Sequence, residues 1–203
     1  YENNQSSLVS VAPISVTDNL ITAGTNGIYV EYYSSPEYMY DDARLIMGPM
    51  AFADNVITST NHGIQMYFDY DYYLGTDMTN NAYVKLPDNI IRGNTFYPGE
   101  NRSGVNWYNY YTSYNNFGDS TIDFGQLLVD DNTFVGGNYG LYYYNEGAAY
   151  DAYDNHTAIF SDTVVTDNRF YSQTSAAVYF DIDYAGYNHY GNLVFGDTLV
   201  ARN

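Results

Sequence analysis

The chain contains no cysteine, which excludes a disulfide framework and any thiolate metal site. An extracellular location stays open, with stability drawn from another source. Positive charge is nearly as scarce: six Lys and Arg stand against 24 Asp and Glu, for a formal net charge of −18. Such a surface repels nucleic acid and anionic membranes, so neither is expected as a partner, whereas divalent cations and basic partners fit. No apolar run approaches the roughly 20 residues needed to span a bilayer. Good helix formers are few, and in their place stand 27 Tyr, 17 Gly and many Asn and Asp. Tyr, Val, Ile, Thr and Phe suit strands, while Asn, Asp and Gly suit turns that need positive φ. At 203 residues without a linker-like stretch, the chain reads as a single domain over 1–203 or one continuous stack of repeats.

A repeat is present. An apolar alternating run closes on an asparagine six times, at Asn19, Asn55, Asn94, Asn132, Asn168 and Asn203, with intervals of 36, 39, 38, 36 and 35 residues. A period this regular decides architecture before any local reading. After each anchor comes a short apolar stretch and then a small residue opening a second alternating run: Gly27-Ile28-Tyr29-Val30, Gly63-Ile64-Gln65-Met66, Gly104-Val105-Asn106-Trp107, Gly140-Leu141-Tyr142-Tyr143 and Ala177-Val178-Tyr179-Phe180. Alternation of period two marks strands with one face inward. The inward columns are then Ile28, Ile64, Val105, Leu141, Val178 and Val30, Met66, Trp107, Tyr143, Phe180. A segment dense in Tyr, Asp and Asn follows, and a third apolar run leads to the next anchor. Each repeat thus holds about three short strands and one long excursion.

Strands that cannot bury their apolar face alone stack on copies of themselves and pair in parallel. The expected fold is all-β: a right-handed parallel β-helix of about five coils with Tyr-rich excursions, the handedness following the crossover rule. The anchor asparagines would bond to one another up the stack, taking the left-handed backbone of a sharp turn. A β-sandwich is the competing architecture, since short strands and Asn/Gly turns also build one; six anchors in phase favour the helix.

The segments DNLITAGTNGIYV, DNVITSTNHGIQM, GNTFYPGENRSGVNW, DNTFVGGNYGLYY and DNRFYSQTSAAVY resemble the right-handed parallel β-helix repeats of the pectate-lyase-like superfamily. The resemblance extends over the whole chain and implies the fold. It implies polysaccharide cleavage only where clustered acids meet a basic residue, and many members of such folds are non-catalytic surface proteins. Here Arg44, Lys85, Arg92, Arg102, Arg169 and Arg202 are scattered. The acid pairs Asp69/Asp71 and Asp181/Asp183 have the spacing that places both carboxylates on one face of a strand, where they could hold calcium or share a proton. Turn aspartates precede four anchors, at Asp18, Asp54, Asp131 and Asp167, and a cation could relieve their mutual repulsion. His62, His156 and His189 lack metal-ligand spacing and read as surface residues. No resident cofactor is expected apart from such calcium, and the chain reads as non-enzymatic.

The tyrosines exceed what one core can absorb. Tyr70, Tyr72, Tyr73, Tyr108, Tyr110 and Tyr111 would form a broad aromatic surface, which calls for a partner: copies of the same chain, or sugar rings. Asn4, Asn101 and Asn155 open N-glycosylation acceptor triplets. The chain starts at Tyr1 with no leader before it, as after removal of a secretion signal, and neither terminus reads as a capping repeat. The expectation is an extracellular structural protein that self-assembles into a filament, tube, sheath or surface layer. In coaxial stacking Arg202 would fall near Asp18 of the next copy, and five turns of ~4.8 Å give a subunit about 24 Å high. The alternative function is a glycan-binding or glycan-cleaving β-helix.

Overall fold

The computed structural model describes residues 7–32, 39–69, 77–110, 112, 115–147, 152–183 and 190–203, with only the backbone at Asp69. It is a parallel β-solenoid of about five turns, without helix among the described residues. Four strands make one coil, and equivalent strands of successive coils line up as four sheets. The first sheet holds β1 (Leu8–Val11), β5 (Arg44–Met47), β9 (Tyr83–Lys85), β13 (Thr121–Asp123), β17 (Thr157–Phe160) and β21 (Asn192–Phe195). The second holds β2 (Ile14–Thr17), β6 (Met50–Ala53), β10 (Asn89–Arg92), β14 (Leu127–Asp130), β18 (Thr163–Thr166) and β22 (Thr198–Ala201). In the third are β3 (Leu20–Ala23), β7 (Val56–Ser59), β11 (Thr95–Tyr97), β15 (Thr133–Val135) and β19 (Arg169–Tyr171). The fourth comprises β4 (Ile28–Tyr32), β8 (Ile64–Asp69), β12 (Ser103–Tyr110), β16 (Tyr139–Glu146) and β20 (Ala176–Asp183).

Every described pairing between these strands is parallel, which replaces the sandwich alternative. The expected inward columns are in register: Ile28, Ile64, Val105, Leu141 and Val178 face one another across the fourth sheet, as do Val30, Met66, Trp107, Tyr143 and Phe180. In the middle coils these side chains are sealed in the core, and Phe96, Phe134 and Phe170 continue it as a ring stack with centroids 4.9 Å apart.

Two local readings change. The apolar run before each anchor is two strands, so a coil has four strands where three were expected. It bends at a small or imino residue, as at Gly48-Pro49 and Gly125, whose φ of 70° suits glycine. The left-handed residue of the sharp turn is also not the asparagine. It is the residue before it: Asp18 (φ 58°), Asp54 (55°), Gly93 (66°), Asp131 (51°), Asp167 (56°) and Arg202 (55°).

The small residue that opens each run of the fourth sheet has a packing cause. A Cβ on Gly104 would stand 2.2 Å from the Phe134 ring, and one on Gly140 2.2 Å from Phe170. The third-sheet side chain of the next coil lies across each glycine. In the fifth coil, where no described ring covers the position, the residue is Ala177.

Candidate functional site

The anchor asparagines form one continuous hydrogen-bonded column. Asn19 donates from its backbone N–H and its Nδ2 to Oδ1 of Asn55, both at 3.0 Å. Asn55 donates likewise to Asn94, Asn94 to Asn132, Asn132 to Asn168 and Asn168 to Asn203, all at 2.9–3.0 Å. Each Nδ2 also reaches a main-chain carbonyl at the corner, such as Ile91 O from Asn132 and Val165 O from Asn203. Asn55, Asn94, Asn132 and Asn168 are buried, which makes this satisfaction obligatory, whereas Asn19 and Asn203 are exposed. Every asparagine-to-asparagine bond runs from one coil to the next. The column therefore has an acceptor end at Asn19 and a donor end at Asn203.

Beside the column runs a ladder of ion pairs that answers the expected repulsion between turn carboxylates. Arg92 Nη2 lies 2.6 Å from Asp130, Arg169 3.8 Å from Asp131, and Arg202 grips Asp167 through Nε and Nη2 at 2.8 and 2.7 Å. The Arg202 hydrogen bond and charge hold the Asp167 carboxyl below the usual carboxylate range. Arg202, expected to serve a neighbouring copy, thus pairs within its own chain; Asp18 lies exposed five coils away. Lys85 bridges Asp88 and Asp123 at 3.3 and 3.2 Å, and Arg44 lies over the Tyr83 ring. These cations serve the corners and sheets of the solenoid.

Of those pairs, Asp71 and the side chain of Asp69 fall outside the described residues. Asp181 and Asp183 lie on β20, in register with Tyr144 and Glu146. Among the described residues no group of three or more His, Asp or Glu is placed to hold a metal ion. Asp181 and Asp183 align with Tyr144/Glu146 and Tyr108/Tyr110, and Asp69 aligns with Tyr110, while Asn109 and Asn145 face inward and are fully buried, with Asn109 Nδ2 donating to Asn145 Oδ1 at 3.1 Å. A one-residue change of register turns a side chain to the opposite face.

The histidines also differ from expectation where they are described. His156 is fully buried and its Nδ1 meets Ser120 Oγ at 2.8 Å. It continues a column of small buried residues, Ala43, Ala82 and Ser120, each following a turn pair (Asp41-Asp42, Asn80-Asn81, Gly118-Asp119, Asp154-Asn155). His62 Nδ1 accepts from the Ser103 N–H at 3.1 Å; burial, aided by the Arg102 charge, lowers its pKa to about 4. His189 lies outside the described residues.

Tyrosines occupy the outer face of the fourth sheet. Tyr67, Tyr108 and Tyr144 share one register position and stack at 5.1 and 4.9 Å, with interplanar angles of 6° and 15°. Tyr142 and Tyr179 stack in the next column at 5.4 Å and 1°. Both faces of the Tyr108 ring are thereby taken, which leaves edges and hydroxyls for solvent. Neither face of Tyr108 is then open to a stacking sugar ring. Tyr110 contacts Tyr108 at 6.1 Å; Tyr70, Tyr72, Tyr73 and Tyr111 lie outside the described residues. Burial, then the Asp181 charge, pushes the Tyr142 phenol up to about 12.

Two of the three acceptor triplets are described. Asn101 is exposed in a turn, and Asn155 is exposed with its Nδ2 donating to Asp119 at 2.9 Å. Asn4 lies outside the described residues.

The two end faces are apolar and uncovered by any described residue. Val9 and Ile14, in register with the buried Leu45 and Met50, are each 44% exposed on the first coil. At the other end Phe195 and Val200, in register with the buried Phe160 and Val165, are 45% and 48% exposed. The first coil also opens into the core through a cavity lined by Val16, Ile28, Val30, Met47 and Phe52. Comparison with family models, curated proteins and solved structures finds no match for this chain, so the pectate-lyase-like resemblance remains one of repeat pattern.

Proposed function

We propose that this chain is an extracellular structural β-solenoid that adds to copies of itself end to end. The observation that carries the reading is the one-way asparagine column, whose acceptor end at Asn19 and donor end at Asn203 are complementary only head to tail. The apolar end faces agree with it, because an uncovered solenoid end presents unpaired strand edges and core to water. A contact of this kind does not close on itself and gives a filament or tube. The exposed turn triplets, the acidic surface and the scarcity of Lys and Arg as protease targets suit an external material.

In this junction β1 of one copy lies on β21 of the next and β2 lies on β22. The first two sheets have six strands and the other two have five. Pairing of these strands across the junction therefore runs through the first two sheets. Five spacings separate Asn19 from Asn203, and the junction adds a sixth. The axial repeat becomes about 29 Å at ~4.8 Å per strand, which revises the 24 Å expected from the subunit alone.

Cryo-electron microscopy of the purified chain, with and without a calcium chelator, tests this. Ordered polymers with a repeat near 29 Å support it, and their loss in chelator would assign the acidic residues a cation. Dispersed monomers under both conditions overturn self-assembly.

A further inference from the structure

The paired tyrosine columns on the fourth sheet have a chemistry of their own, independent of end-to-end assembly. Parallel in-register strands hold Tyr67, Tyr108 and Tyr144 in one column and Tyr142 and Tyr179 in the other. Tyr142 and Tyr144 join the columns at 6.0 Å and 9°. Ring contact is therefore continuous across four coils. Every one of these rings remains at least partly exposed, so a diffusing oxidant reaches the set. Tyr144 donates its phenolic hydrogen to the Glu146 carboxylate, which is placed to take the proton when the ring loses an electron. Holding two reacting groups in contact replaces a bimolecular encounter by an intramolecular one.

We propose that these columns are an oxidative cross-linking site, at which a peroxidase-class oxidant with hydrogen peroxide joins adjacent coils of one chain through dityrosine. Each of two phenols loses one electron and one proton to become a phenoxyl radical. The radicals couple through ring carbons ortho to oxygen, one carbon–carbon bond forms, and the two ring hydrogens move to the oxygens as aromaticity returns. Peroxide accepts the two electrons and two protons and leaves as two waters. Contact between rings lets an oxidised tyrosine exchange with its neighbours, so two radicals on one column meet at a stacked pair. The Tyr108–Tyr144 pair at 4.9 Å, with its carboxylate, is the preferred site.

The test treats the dilute full chain with horseradish peroxidase and hydrogen peroxide, then maps peptides by mass spectrometry. The expected products are linked peptides lacking two hydrogens per link, with the 108–144 link the most abundant and the 142–179 link also present. Tyr108→Phe keeps a stacking ring without the phenol and should remove the 108–144 link at least tenfold while sparing 142–179. Tyr179→Phe should do the reverse, and circular dichroism confirms that both variants fold. Links formed mainly between chains, links at tyrosines outside the columns such as Tyr83 and Tyr97 in equal yield, or a map unchanged by Tyr108→Phe would overturn the proposal.

Discussion

The two halves of each coil obey different rules of length. From the first-sheet positions in register, Leu8, Arg44, Tyr83, Thr121, Thr157 and Asn192, to the following anchor asparagine is 11 residues in all six coils. From Ile28, Ile64, Val105, Leu141 and Val178 on the fourth sheet to the next first-sheet strand the spacing is 16, 19, 16, 16 and 14. The constant half carries the side-chain column that runs through all six coils, the asparagines, whereas the coil-to-coil bonds of the variable half, such as Asn109 to Asn145 and Asn155 to Asp119, join separate pairs of coils. The variable half contains the Tyr-rich segments, parts of which lie outside the described residues. Length is fixed where consecutive coils must match atom for atom, and free where only the two ends of a loop must meet.

The sharpest way to break that contrast is insertion. One alanine placed between Leu128 and Val129 in β14 would turn Val129 outward and displace Asn132 from its column. Loss of cooperative folding is expected, seen as a missing transition in urea monitored by circular dichroism. A cooperative transition of unchanged midpoint would show that the 11-residue spacing is not a constraint.

Next in size is Phe134→Ala. Its ring is fully buried between Phe96 and Phe170, and truncation of such a side chain costs about 3–5 kcal/mol. Phe170, partly buried with a described ring on one side only, should lose roughly half as much when truncated. Denaturant titration compares the two, and equal losses would contradict the dependence on neighbours on both sides. Asn132→Ala follows, at about 2–3 kcal/mol, because it strands the buried Asn94 donors that Oδ1 accepts. Asn19→Ala, at the exposed end, should cost about 1 kcal/mol or less.

A pH series probes the segment between the two halves, from anchor to fourth sheet, where His62 lies. His62 has its pKa lowered from 6.5 to about 4, so below pH 6.5 the unfolded chain takes up a proton that the folded chain refuses. Stability from this residue is full above pH 6.5 and declines as pH falls toward 4. Thermal unfolding of His62→Gln should show a shallower loss than the parent over that window; parallel curves would remove His62 as the cause. The smallest effect is expected from four Gly/Ser residues inserted within positions 148–151. Lengthening a flexible loop costs only about 0.6 kcal/mol per doubling, and a loss of several kcal/mol would erase the distinction between the halves.

The repeat made the solenoid legible because six anchors recur in phase and each core column can be read from period-two alternation. Ile64, Val105 and Leu141 stand where the alternation placed them. The far end of each fourth-sheet strand was less legible. The segment from anchor to strand is 9 residues in the second coil and 11 in the third, so positions counted from the anchors drift by two residues between these coils. The corner between the first and second sheets was missed because one apolar run spans two strands, with only Gly48-Pro49 or Gly125 to mark the bend. His156 looked like a surface residue because a lone histidine carries no periodic signal. Its column, Ala43, Ala82, Ser120 and His156, emerges only when the turn pairs ahead of it are aligned.

The asparagine column also governs how the molecule would yield under force. Pulling on the two chain ends would unwind thread from a spool: each coil can peel only after its asparagine lets go of the next, so rupture proceeds from the exposed ends inward. The lengths set free are the anchor intervals, 36, 39, 38, 36 and 35 residues. At roughly 3.5 Å per extended residue, each rupture pays out on the order of 120–140 Å of chain. A rod built this way lengthens in nearly equal steps and dissipates work at every one.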